Sequence, residues 1–220
     1  MRLPMPLPTR RSLAVLLGLA LTGLPGCGAL SALGDATTPL DVYELRAPSG
    51  LPTATRTRPL QVTVEVPTTG GALQTDRILI RPDRLQAQYL PDVRWSEETP
   101  EMVQTLMLRS LENTNAVSYV GRRPLGAGGD IAVMTEVTDF QAEAPNPDGP
   151  ATVVLRMTVR LVREADVSIV GARTFSATVQ TPSTELADVV AGFDAAASQI
   201  FAEFARWSAA ELGAPLRAGG

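Results

Sequence analysis

The sequence predicts a mixed α+β fold (α/β in the broad sense): one domain with a mixed sheet, an antiparallel meander and two main helices. Apolar periodicity runs from Leu40 to Leu212, roughly 170 residues, a common size for a single core. Two segments, Thr99–Asn113 and Thr184–Leu212, repeat apolar residues at helical spacing. Three long stretches, Ile131–Phe140, Ala151–Val162 and Val167–Val179, alternate and are rich in β-branched residues, which marks them as strands.

The elements follow in chain order. Asp41–Arg46 reads as a short strand around Tyr43. Leu60–Val66 alternates, with Leu60, Val62, Val64 and Val66 on one face and Gln61, Thr63 and Glu65 on the other. Gly70-Gly71 makes a turn. Asp76–Arg81 and Arg84–Tyr89 read as hairpin strands joined through Pro82-Asp83. The first helix, within Trp95–Asn113, has Thr99 as its expected N-cap and Pro100 next, where a missing N–H leaves no bond unmade. Asn113-Thr114-Asn115 should end it, and Val117–Val120 is a strand. Strand, helix and strand in that order predict a parallel pair with a right-handed crossover. In the meander, Thr152, Arg156, Thr158 and Arg160 should line a polar face. The last helix carries Leu186, Val189, Phe193, Ala197, Ile200, Phe204 and Trp207 on one stripe, with Phe193, Ile200, Phe204 and Trp207 expected to be buried. Gly213 and Pro215 stop it, leaving residues 213–220 as a loose tail.

The N-terminal region has a different character. Arg2, Arg10 and Arg11 precede an apolar run, Leu13–Leu24, about the length of a signal-peptide core and too short to span a bilayer. The run closes on Leu24-Pro25-Gly26-Cys27, which resembles a bacterial lipobox, the signal for lipidation of a cysteine and cleavage before it. Cys27 is the only cysteine in the sequence. Residues 1–26 therefore read as a lipoprotein signal peptide, Cys27 as the lipidated residue, residues 27–39 as a tether, and 40–212 as the folded domain. Pro25 departs from the small residue usual at that position. Thr9-Arg10-Arg11-Ser12-Leu13 also faintly resembles a twin-arginine export signal, but paired arginines are common in ordinary leaders and the general secretory route is the expected one. Gly28, rather than an aspartate, follows the cysteine, which points to the outer membrane.

Composition excludes several functions. Of the 19 basic residues, all arginine, three lie in the leader; the 16 that remain face 23 acids, a net charge of −7. Nucleic acid is not an expected partner, because binding it rests on dense positive charge. There is no histidine and no lysine, so Ser-His, Cys-His and Ser-Lys nucleophiles, Schiff bases and a P-loop lysine are ruled out. With a single cysteine, zinc is not expected either. Carboxylate chemistry remains, with Asp76, Asp83, Glu97, Glu98 and Glu101 as candidates. The plainer reading is solvated acids at strand ends and in a first helical turn, where negative charge suits the helix dipole. Gly126-Ala127-Gly128-Gly129 lacks the lysine of a phosphate loop, is followed by Asp130, and reads as a turn. No catalytic residue, cofactor or metal is expected.

Taken in order, several segments carry a family resemblance. They are the lipobox, Tyr43-Glu44-Leu45, Leu60-Gln61-Val62-Thr63-Val64, Leu73-Gln74-Thr75-Asp76-Arg77-Ile78, and Tyr89 and Trp95 before Pro100. Asp130-Ile131, Phe140, Phe175, and Phe193 with Trp207 complete the series. In this order and spacing the chain resembles the ABC-type transport auxiliary lipoproteins, which include the paraquat-inducible protein C type. The resemblance implies a non-enzymatic accessory subunit of a system that pairs an ABC permease and ATPase with a periplasmic protein carrying mammalian-cell-entry (MCE) domains. Such systems move phospholipid or other apolar molecules between inner and outer membranes. It implies that MCE-domain protein as partner, possible homo-oligomer formation, and no catalytic residues, so Trp95 and Tyr89 are expected to be core anchors. An anchored scaffold or regulator of an envelope enzyme, docking through a strand edge, is the alternative.

Overall fold

The computed structural model describes residues 40–126 and 128–217; the expected signal peptide, Cys27 and the expected tether lie outside them. A mixed sheet is built around one long strand and has two helices packed on one face. The short strands are β1 (Asp41–Tyr43), β2 (Arg58–Val64), β3 (Thr68–Thr69), β4 (Leu79–Arg81), β5 (Gln88–Tyr89) and β6 (Val93–Trp95). Helix α1 (Thr99–Glu112), β7 (Val117–Gly121), the meander β8 (Ile131–Glu143), β9 (Thr152–Arg163) and β10 (Ser168–Gln180), and helix α2 (Leu186–Glu211) follow.

The sheet runs β10-β9-β8-β2-β7. β8 pairs antiparallel with β9 along its whole length. Its other edge takes three short partners in succession, all parallel: β2 at Ile131–Val133, β3 at Glu136–Val137 and β4 at Ala142–Glu143. The expected parallel pair across α1 forms, and the partner of β7 is β2. The strand just before the helix, β6, instead pairs in parallel with β1.

Alternation along β9 sends Val153, Leu155, Met157, Val159 and Leu161 to the core, while Arg156 and Arg160 are exposed and Thr152 and Thr158 half-buried on the opposite face, as the sequence predicts. Phe140 on β8, Phe175 on β10 and Trp95 on β6 meet the α2 stripe of Phe193, Ile200, Phe201 and Phe204, all buried. Trp207 at the end of that stripe is only half-buried, packed edge-on to Phe175 at 5.4 Å. Among the described residues no helix is long and apolar enough to cross a membrane.

Several boundaries differ from the sequence reading. Strand β1 ends at Tyr43, although Leu45 beyond it is buried. β2 ends at Val64, and Val66 is 49% exposed, because pairing with β8 stops at Val133 and Pro67 has no N–H to extend a ladder. The hairpin β4–β5 exists, but each strand is short. Asp76 and Ile78 turn their carbonyls to the amides of Trp95 and Leu90 instead of to a ladder, and Asp83 Oδ1 accepts the amides of Leu85 and Gln86, closing a side-chain turn where a strand was expected. Glu98, not Thr99, occupies the N-cap position of α1 and makes no side-chain capping bond, and Thr99 spends its amide and its hydroxyl on the Thr75 carbonyl, at 3.0 and 3.1 Å. α2 starts at Leu186, because the Thr184 hydroxyl bonds the Pro147 carbonyl.

Residues 213–217 fold back onto the domain. Gly213 adopts φ 71°, and the amides of Gly213 and Ala214 bond the carbonyls of Ala210 and Ala209 in a Schellman closure. Leu216 then bridges Ala54, and the Arg217 amide bonds Thr53.

Candidate functional site

The acids considered for catalysis do not converge. Asp76 pairs with Arg94 at 3.2 Å. Asp83 holds its own turn, and Glu97 accepts the Thr105 hydroxyl at 2.9 Å. Glu98 is the exposed cap residue, and Glu101 lies in the first turn of α1. Among the described residues no cluster of three or more potential metal ligands occurs. The glycine-rich loop already has an anion of its own. The Gly129 amide donates to Glu164 Oε2 at 2.9 Å, and a Cβ at Gly129 would approach Glu164 and the Thr63 hydroxyl to 3.0 Å, so the loop lies flat on the sheet.

What the fold presents instead are surfaces. The helices cover one face of the sheet; the other is left open by the described residues. On it β8 carries Glu136 and Asp139, β9 carries Arg156 and Arg160, and β10 carries Thr174 and Ser176. Neighbouring columns complement one another. Arg156 pairs with Asp139 at 3.4 Å, and the hydroxyls of Thr158 and Thr174 share a hydrogen bond at 2.9 Å. At the β8 N-terminal end the face turns apolar. Ala132, Val162 and Ile169 follow one another across β8, β9 and β10 in register, and Ile169 is 61% exposed. Val167, in the turn leading into β10, is 79% exposed and held at φ 55°, a left-handed conformation unusual for a β-branched residue.

The described residues also line two open clefts. One, of about 440 Å³, lies between the β4–β5 connection and the end of β8 and mixes Arg81 and Arg84 with Asp139 and Glu143. The other, of about 590 Å³, lies between the loop at Pro48–Leu51 and α2 near Arg206.

Of the two residues expected as core anchors, Trp95 is one. Tyr89 is not: β5 is the outer strand of its hairpin, the ring is 39% exposed, and the hydroxyl reaches the Ala72 carbonyl at 3.1 Å. Sequence reading did not single out β10 as a strand with one free edge. Only the absence of any strand signal after Gln180 could have suggested it.

The ABC-type transport auxiliary lipoprotein component model matches residues 43–209, nearly the whole described domain. The chain belongs to this family. In this auxiliary lipoprotein fold the second sheet face and the strand edges are the parts not covered by the helices. The chain is similar to an uncharacterized protein of Bradyrhizobium diazoefficiens, 27% identical over 176 residues, or 80% of this chain and 46% of that one. It thus spans about half the length of that relative. Its fold is like that of a Xanthomonas campestris protein of the DUF330 family, with a TM-score of 0.66 at 20% identity over 77% of this chain and 95% of the other. A second crystal structure, of an uncharacterized protein, gives a TM-score of 0.57 at 17% identity over 75% and 99%.

Proposed function

We propose that this auxiliary lipoprotein is a non-enzymatic subunit of an MCE-type ABC transport system, tied to the outer membrane through lipid on Cys27 and facing the periplasm. There it would help pass phospholipid or other apolar molecules between the two membranes. The observation that carries the reading is the family match across residues 43–209. The dispersal of the acids into separate structural contacts supports binding rather than catalysis as the useful output. The partner in this reading is a periplasmic MCE-domain protein reaching from the inner membrane. A lipid anchor supports it energetically, since each buried methylene contributes about 0.8 kcal/mol and several acyl chains hold a domain on a membrane almost permanently.

The test combines mass spectrometry with genetics. The N-terminal peptide should begin at an acylated Cys27. Deleting the gene should weaken the outer-membrane lipid barrier, and Cys27→Ala should rescue it poorly while the domain still folds. An unmodified peptide reading through Gly26-Cys27 contradicts the anchor. Full rescue by Cys27→Ala contradicts the need for it.

A further inference from the structure

We infer that the chain pairs with a second copy of itself along the free edge of β10, antiparallel, continuing the sheet across a two-fold axis. The inference is independent of the transport reading. β10 spans Ser168–Gln180 and pairs on one side only, with β9. Its outward backbone groups have no other hydrogen-bond partner among the described residues. Such an edge is a template for another strand, and monomeric proteins normally blunt it with proline, lysine, inward charge or brevity. β10 has no proline and no lysine, and its one irregularity is confined to Ile169–Gly171.

The occupant follows from length and charge. The other open edges of this sheet are short, β7 at Val117–Gly121 and the outer hairpin strand β5 at Gln88–Tyr89, and the separate β1–β6 pair has strands of three residues, so a second β10 is the element that matches β10 in length. The strand carries one charge, Arg173, which is directed to the helix side, paired with Glu203 and lying 5.0 Å from the Phe175 ring. The open-face positions Ala172, Thr174, Ser176 and Thr178 are uncharged and exposed. Antiparallel self-pairing about Thr174 or Ser176 therefore sets hydroxyl against hydroxyl and no like charge against another. A charged peptide strand would find no complement on these positions. The edge is already fixed by β9 and α2, so pairing demands little ordering.

The experiment uses the full-length chain purified in detergent. Analytical ultracentrifugation should show a dimer at micromolar concentration. The double substitution Thr174→Glu/Ser176→Glu, on exposed positions, should raise the dissociation constant by about tenfold or more, while the dissociated protein, compared at concentrations too low for pairing, melts as the wild type does. Cysteine placed singly at Ala172, Thr174, Ser176 or Thr178 should give an oxidised dimer, strongest at the residue on the two-fold axis. A wild-type monomer overturns the inference. So does an oligomer indifferent to the glutamates and uncrosslinked by all four cysteines.

Discussion

The indole of Trp95 stands edge-on to the ring of Phe193, with centroids 5.2 Å apart and planes at 79°. Phe193 in turn stacks on Phe140 at 5.4 Å and 26°. Three elements that are distant in sequence, β6, β8 and α2, are joined by this contact. Their rings contribute area burial plus an edge-to-face preference of about 0.5–1.5 kcal/mol per pair.

The same packing continues along α2 and predicts a large truncation effect. Phe204 is fully buried and meets Phe175 edge-on at 6.2 Å. Phe204→Ala should destabilise the domain by about 3–5 kcal/mol, read from denaturant unfolding. A loss below about 1 kcal/mol would mean that the stripe does not pack in the core.

A glycine near the start of α2 decides how closely the helix approaches the sheet. A Cβ at Gly192 would fall 2.6 Å from Thr181 Cγ2 and 2.9 Å from Val153 Cγ2. Alanine normally gains about 1 kcal/mol over glycine inside a helix. Here overpacking, about 1–3 kcal/mol, should outweigh it, so Gly192→Ala should lower the melting temperature.

Gln104 ties α1 to the end of β2. It is buried, donates to the Val64 carbonyl at 2.8 Å and accepts from Arg122 at 2.9 Å. Gln104→Leu keeps the volume but orphans that carbonyl, and should cost about 1–3 kcal/mol in the same unfolding assay.

The turn into β10 predicts a pH effect of defined sign. The Asp166 carboxyl is held below its ordinary value of 3.8 by the Ser168 hydroxyl and amide, with Arg163 assisting. A carboxyl depressed on folding stabilises the folded state above pH 3.8, and that contribution is lost as pH falls through the lower folded value. An NMR titration should place the Asp166 midpoint below 3.8, and Ser168→Ala should raise it.

The sequence made the long elements legible because their periods are unambiguous. α2 repeats apolar residues for 26 residues, and the meander strands run to 12 or 13. Short pieces were not legible. β4 and β5 together hold five paired or flanking ladder residues, and their limits depend on where β8 has room for another partner, which is a tertiary fact. Thr99 has ideal capping chemistry, yet a nearby carbonyl at Thr75 claimed its hydroxyl. Tyr89 has core composition but lies on an outer strand. Of the acids, Asp76 meets Arg94 and Asp83 closes its own turn, while Glu97, Glu98 and Glu101 gather at the start of α1, where the sequence reading placed acids of a first helical turn. The free edge of β10 depends on strand order, which no local pattern encodes.

The central claim is a working partnership with an MCE-domain protein. The direct measurement is affinity purification of the tagged full-length protein from crosslinked membranes, with co-purifying proteins and lipids identified together. An MCE-domain protein with its permease and ATPase should be recovered, together with bound phospholipid or another apolar molecule. Repeated recovery of a cell-wall enzyme with no MCE-domain protein would contradict that claim and favour the envelope-enzyme regulator.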